Sequence, residues 1–306
     1  MTKYPQSITA CIEALCKDIH DDTMLAPRTE RYYREQCRSV FNILLRHRED
    51  ILPHNVTKQD ILWLLHEMID ENYAVQTQKG YIQALRKITK FYNNYEIDKV
   101  KIRYAHDTRP NVDWLSYEQA KLLMDCPKTS NQELIVNCEL GMGFRRCEVY
   151  RLKTSDIGEG VINVIGKGPM GGKPRTVPFH PRTAGVIERY NEYRNTLIKA
   201  AQYQKKLPVS VPDSMMIYSR GGSIFPYSSQ RMSGIDAQLN KLSDELGFHF
   251  TNHTLRRTFG RTMFHSGVPV PTISKLLGHE STDQTLEYIG INLDDMSSAM
   301  QLYTLR

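Results

Sequence analysis

The chain has 306 residues, enough for two domains of ordinary size, and its 40% hydrophobic and 24% charged residues are those of a globular protein. No run approaches the roughly 18 consecutive apolar residues that a membrane-spanning helix requires, so no transmembrane helix is expected. The net charge of +6 is compatible with a polyanionic partner but does not demand one. Residues 1–22 lack the basic-then-apolar order of a secretory signal, so a cytoplasmic location is expected. The cysteines Cys11, Cys16, Cys37, Cys126, Cys138 and Cys147 form no C-x-x-C pair and have no histidines at zinc-finger spacing. Unpaired thiols and no bound metal are the simplest expectation.

In chain order, the first hundred residues read as helices. Thr29 is placed to cap a segment whose apolar positions are Tyr32, Tyr33, Val40, Phe41, Leu44 and Leu45. Thr57 and Asp60 have the spacing of a capping box ahead of Ile61, Leu64, Leu65 and Met68. A third helix is predicted over residues 77–95, with Tyr81, Ile82, Leu85, Ile88, Phe91 and Tyr92 on one face and Lys79, Arg86, Lys87 and Lys90 on the other. Seven basic residues and two acids fall between positions 79 and 103. That imbalance suits a helix facing DNA, although a helix face like this is in isolation more often simply solvated.

Residues 101–113 have little apolar periodicity and read as a linker, after which residues 114–124 open a new helical pattern. The expected organisation is a helical domain over 1–105, a linker over 106–113 and a second domain over 114–306. Two β-rich runs, 161–165 and 175–179, are separated by Gly166, Gly168, Pro169, Gly171 and Gly172, which predicts a hairpin with a long tip. With helical patterns on both sides, the fold class is mainly α with a small antiparallel β-sheet.

Four segments carry chemistry. In Gly143-Phe144-Arg145-Arg146-Cys147-Glu148-Val149, Arg145 and Glu148 are three apart, so on a helix the carboxylate can orient the guanidinium. Lys167 lies between Gly166 and Gly168 at the hairpin turn, where a lysine can swing and deliver a proton; Lys173 and Arg175 follow it. The loop is not a P-loop, since G-x-x-x-x-G-K-[ST] is absent. The third segment, Asn252-His253-Thr254-Leu255-Arg256-Arg257, puts His253 and Arg256 on one helix face, with Asn252 as the expected N-cap and Gly267 as the stop. Residues 250–279 hold no acid, while Arg256, Arg257, Arg261 and Lys275 do occur there, a setting suited to a phosphate. The fourth segment is Leu276-Leu277-Gly278-His279, nine residues ahead of Tyr288. Singly, each of these residues would more often be structural; a lone tyrosine usually packs with its hydroxyl satisfied.

Together and in this order, the four segments resemble the tyrosine recombinase (phage integrase) family, including its Xer-like and archaeal members. The resemblance covers most of residues 114–289 and, more loosely, the helical region before it, which is similar to the family's core-binding domain; the rest would be its mixed α and β catalytic domain. It implies that Arg145, Lys167, His253, Arg256, His279 and Tyr288 are catalytic, with Glu148 holding Arg145. It further implies double-stranded DNA with specific recombination sites as partner, contacted by Lys79, Arg86, Lys87, Lys90, Lys173, Arg175 and Arg257, and a homotetramer working on two sites. Arg257 departs from the family, many members of which have a second histidine there, and Arg146 doubles the first arginine.

The implied chemistry is transesterification. Arg145 and Arg256 would clamp the non-bridging oxygens and His279 would hydrogen-bond the phosphate. Tyr288 would attack with His253 as base, and Lys167 would protonate the departing 5′ oxygen. Bond energy stays in the 3′-phosphotyrosine ester, so no cofactor is expected. Three other activities remain open at this point: a type IB topoisomerase-like cut and reseal without exchange, a DNA-binding protein with a vestigial site, and, more distantly, a metal-dependent nuclease. The segment with Leu293, Met296, Met300 and Leu302 is expected to form a partly amphipathic tail that docks on its own or a neighbouring subunit.

Overall fold

Helix caps and apolar spacing set most of the element boundaries. The structure, a computed structural model, describes residues 4–22, 27–104, 113–166, 172–205, 209–227, 232–290 and 295. The chain divides into two compact units, with the break between Arg109 and Pro110.

The first unit contains α1 (Ile8–Asp21), α2 (Pro27–Leu44), α3 (Lys58–Asp70), α4 (Val75–Phe91) and a 3-10 turn, Glu96–Lys99. Ser7 caps α1 by accepting from the Ala10 amide, and Cys11, Ile12, Leu15, Cys16 and Ile19 form its buried stripe. That stripe joins Phe41, Leu44, Leu64, Met68, Leu85 and Ile88 in one core, so a helix that the sequence left unassigned is integral to this unit. The Tyr92 hydroxyl donates to the Cys11 carbonyl at 3.0 Å and ties the end of α4 to α1. Thr57 and Asp60 form the expected capping box.

Two boundaries differ from expectation. Helix α2 starts at Pro27, a residue suited to the first helical position, so Thr29 lies inside the first turn rather than capping it. Helix α4 ends at Phe91 instead of 95, shortly before Asn93 in a left-handed conformation at φ 58°. Lys79, Lys87 and Lys90 are exposed on α4, but Arg86 and Lys90 both pair with Asp98 of the 3-10 turn, at 3.2 and 2.9 Å.

The second unit runs α5 (Tyr117–Asp125), α6 (Ser130–Val136), α7 (Arg146–Arg151), β1 (Val161–Ile165), β2 (Pro174–Pro178), α8 (Pro181–Lys205), β3 (Ile217–Arg220), β4 (Ser223–Pro226), α9 (Met232–Leu246), α10 (Asn252–His265), α11 (Val270–Leu277) and α12 (Thr282–Ile289). The fold is mainly helical, as expected. Among the described residues its strands form two separate antiparallel hairpins: β1 with β2, pairing Val161 with Pro178 and Ile165 with Pro174, and β3 with β4. The second hairpin was not foreseen. Its two-residue turn is Gly221-Gly222, both at positive φ, 56° and 69°.

Helix α6 runs on into a single π turn, Asn137–Gly141, packed against α10. Such a turn inserts one residue into the helical ladder and is often found near functional sites. Phe259, Ile273, Leu277 and Ile289 form a small apolar core that locks α10, α11 and α12 together. Among the described residues, no helix is long and apolar enough to cross a membrane. The six cysteines are free thiols, as expected.

Candidate active site

The site is built around one buried carboxylate. Glu148 stands at the third position of α7, and Arg145 is the N-cap rather than a residue inside the helix. Glu148 Oε2 accepts from the Arg145 amide at 2.8 Å, and Oε1 accepts from Arg145 Nη1 at 2.9 Å. The Glu148 side chain is 0% exposed, so this is no solvated surface pair. Burial raises its pKa, but Arg175, the Arg145 amide and Arg256 outweigh burial and hold the carboxyl below its ordinary value. It is therefore ionised and serves as counterion to the cations around it.

Arg256 comes in from α10 and is 2% exposed. Its Nη1 donates to the Gly143 carbonyl and its Nη2 to the Leu277 carbonyl, both at 2.6 Å, while Glu148 lies 3.8 Å away. Burial and the neighbouring Arg145 push its pKa down to about 10, which leaves it charged at neutral pH. Gly143 has φ 67°, and a Cβ there would meet the Phe259 ring at 2.4 Å. Only glycine brings this carbonyl so close to Arg256.

His279 follows Gly278, the left-handed cap of α11. Its Nε2 lies 3.1 Å from Arg256 Nη2 and its Nδ1 lies 2.9 Å from Thr285 Oγ1. A guanidinium only donates, so Nε2 accepts and the proton sits on Nδ1. Burial, followed by Arg256, Arg145 and Arg175, pushes the imidazole pKa down to about 4, so the ring is neutral.

Tyr288 lies on α12, which Thr285 and Ile289 anchor by burial. Its ring meets His279 edge-on at 5.2 Å, and the Arg256 and Arg257 guanidinium carbons lie 5.7 and 5.4 Å from its centre. Its hydroxyl donates to the His253 carbonyl at 3.4 Å. Burial raises the phenol pKa, with Arg256 and Arg257 opposing.

Four of the six residues implied to be catalytic, Arg145, Arg256, His279 and Tyr288, thus gather their side chains around one point, and His253 meets Tyr288 there through its backbone carbonyl. Lys167 is outside the described residues, as are nearly all of the 106–113 linker and the tail residues Leu293, Met296, Met300 and Leu302. The two adjacent arginines separate clearly, since Arg146 turns away to pair with Asp236 of α9. The N-cap of α10 is Thr251, not Asn252; Asn252 instead donates to Asp236 at 2.6 Å. Gly267, at φ 79°, follows the end of α10 as expected. Lys173 is exposed and pairs with Glu280 at 2.7 Å.

Arg175 does not present its guanidinium to solvent: it donates to both oxygens of Glu148 at 2.8 Å each and to the Leu276 carbonyl at 2.9 Å. This convergence of β2 on α7 has no local signature. Sequence reasoning also passed over Glu139, wholly buried in the π turn, although a lone acid between Cys138 and Leu140 in an apolar run was a visible signal.

Two arginines, a histidine and a tyrosine are thus gathered around one orienting carboxylate. Residues 113–293, more than half of the chain, match the phage integrase family, and the chain belongs to it: it is a tyrosine recombinase. Over 291 residues it is 26% identical to tyrosine recombinase XerC of Oceanobacillus iheyensis, spanning 90% of this chain and 89% of that one. It is 24% identical over 249 residues to tyrosine recombinase XerA of Pyrococcus horikoshii, spanning 81% of each. Among solved structures it is similar in fold to the XerH site-specific recombinase bound to difH substrate, with a TM-score of 0.64 and 16% identity over 97% of this chain and 85% of that one. It is likewise similar to the Tn1549 transposon integrase in complex with transposon right end DNA, at a TM-score of 0.60 and 16% identity over 95% of this chain and 98% of that one.

Proposed function

We propose that this recombinase cuts and reseals double-stranded DNA at specific sites, with Tyr288 as the nucleophile. The observation that carries the reading is the packing of the Tyr288 ring between Arg256, Arg257 and His279, beside Arg145. Three guanidiniums, those of Arg145, Arg175 and Arg256, share the single carboxylate Glu148, so two positive charges are left for a phosphate. Such preorganised charge stabilises the five-coordinate transition state at little reorganisation cost.

Arg145 and Arg256 take the non-bridging oxygens. The Tyr288 oxygen attacks phosphorus as its proton passes to His253, the P–O5′ bond breaks, and Lys167 supplies a proton to the departing oxygen. A 3′-phosphotyrosine and a 5′-hydroxyl result, and attack by a partner strand's 5′-hydroxyl reverses the sequence. His279 acts through Arg256, because its Nε2 accepts from that guanidinium; a direct hydrogen bond to phosphate requires the proton to move to Nε2. No ATP and no metal enter this scheme. Lys79, Arg86, Lys87, Lys90, Lys173 and Arg257 contact the duplex backbone, with Arg86, Lys90 and Lys173 exchanging their present acids for phosphates. The working form is a homotetramer on two sites.

The test is covalent trapping on nicked duplex DNA. Wild type should leave a protein–DNA adduct on denaturing gels, and Tyr288→Phe should bind the same DNA without one. An adduct that survives in Tyr288→Phe would show that another residue is the nucleophile. Joining of two separate sites, as opposed to plasmid relaxation alone, distinguishes recombination from topoisomerase-like activity.

A further inference from the structure

Strand β2 supplies a side chain that the basic hairpin would be expected to offer to DNA and that the fold uses otherwise. The Arg175 side chain is 11% exposed, and all three of its nitrogens are engaged, two on the Glu148 carboxylate and Nε on the Leu276 carbonyl. One side of it faces the Phe144 ring, at 5.7 Å, and a Cβ on Gly278 would come within 3.1 Å of it. The last two carbonyls of α11 and that of its cap are then taken in turn by three arginines: Leu276 by Arg175 at 2.9 Å, Leu277 by Arg256 at 2.6 Å, and Gly278 by Arg145 at 3.2 Å.

We propose that Arg175 is a positioning residue for strand cleavage: it touches no DNA, and by fixing Glu148 and the end of α11 it sets where Arg145, Arg256 and His279 stand. This rests on the recombinase chemistry proposed above. Arg145 also reaches both oxygens, through its amide and Nη1, but it is the group to be positioned; the side-by-side bonds of the Arg175 fork hold the carboxylate from a second element, and a lysine cannot reproduce them. Arg175 also belongs to the hairpin whose turn carries Lys167, so one contact ties the strand next to the proton donor to the arginine pair.

The groups facing Glu148 are Arg145 at the cap of α7, Arg175 on β2 and Arg256 on α10, with Glu139 in the π turn and His279 and Tyr288 beyond the arginines. Arg175 leads the groups that keep Glu148 ionised against burial. Without it the carboxyl binds a proton at higher pH, and the ionised form that orients Arg145 is lost as pH falls.

The experiment uses the full chain and nicked duplexes built on genomic fragments that wild type captures covalently. Arg175→Gln should cleave about 10²-fold more slowly, the scale of a misplaced catalytic group, with DNA affinity and its salt dependence unchanged. Its rate should also fall with decreasing pH over a range where wild type is flat. Glu148→Gln should lack this acid limb, and Arg175→Gln should add little in that background. Arg175→Lys, which keeps the charge but not the fork, should be as slow as Arg175→Gln.

Normal cleavage combined with weaker binding and a salt slope reduced by about 0.9 would make Arg175 a phosphate contact and overturn the proposal. So would full activity in Arg175→Lys, equal losses with and without Glu148, or failure of both Arg175 variants to fold at the assay temperature. If wild type itself captures no DNA, the recombinase chemistry fails instead, and that outcome is read from wild type alone.

Discussion

Replacing Glu139 by methionine should stabilise the protein, and the gain should grow with pH. Glu139 is 0% exposed, and among the described residues neither of its carboxyl oxygens has a hydrogen-bond partner. Burial, reinforced by Asp236, raises its pKa well above the ordinary 4.5, while Arg146 and Arg256 oppose. In the folded protein the group therefore keeps its proton at pH values where the unfolded chain has released it. The sign follows: its contribution to stability is complete below the ordinary carboxyl range and is lost as pH rises toward the raised value. While one proton separates the two states, the slope is about 1.4 kcal/mol per pH unit, or roughly 2.7 kcal/mol over two units. Removing an unpartnered buried polar group adds about 1–3 kcal/mol at every pH. Urea unfolding of Glu139→Met against wild type, at steps from about pH 4.5 to 7, measures both contributions. Trp114 lies in the second unit and Trp63 in the first, so fluorescence in a Trp63→Phe background reports the relevant transition. A stability difference that does not change with pH would show that Glu139 is ionised in the fold and refute the reasoning.

Three further outcomes are expected. Lys167→Ala should cleave normal DNA about 10²- to 10⁴-fold more slowly and recover on a substrate with a 5′-bridging sulfur, since a thiolate leaves without a proton; rescue of Lys173→Ala instead would move the role to Lys173. Gly143→Ala should lose about 2–5 kcal/mol, from a left-handed alanine plus overpacking against Phe259, and a calorimetric melting point equal to wild type would contradict the close approach. Cleavage in excess EDTA should run at nearly the uninhibited rate, and a loss restored only by a divalent metal would sink the proposed chemistry.

How much of this was legible in the sequence depended on how local each signal is. His253 and Arg256 share a helix face because they are three apart, and the capping box at Thr57 and Asp60 is complete within four residues. Arg145 and Glu148 were readable as a pair, but spacing alone could not tell a solvated helix pair from an N-cap closed over a buried carboxylate. Arg175 is a related case: a basic residue on a glycine-rich hairpin resembles a DNA contact, and its bonds to Glu148, 27 residues away, leave no local mark in the sequence. On α4 the charge tally was correct, yet Asp98, eight residues past Lys90, folds back onto Arg86 and Lys90. The π turn has no familiar sequence pattern, and Glu139 within it was the one local clue.

The three carbonyls at the end of α11 also bear on selectivity among anions. The end of a helix carries a partial negative charge, and here each of its last carbonyls already occupies an arginine. Each guanidinium has five N–H groups, and those that Arg145 and Arg256 do not spend on these carbonyls, on Glu148 or on His279 are held in fixed directions. A free sulfate or inorganic phosphate would have only those remaining donors to bind, whereas, on the function proposed above, a phosphate within a duplex would also be held by contacts elsewhere along the strand. On that reading the cradle favours a backbone phosphate delivered in register over a loose anion.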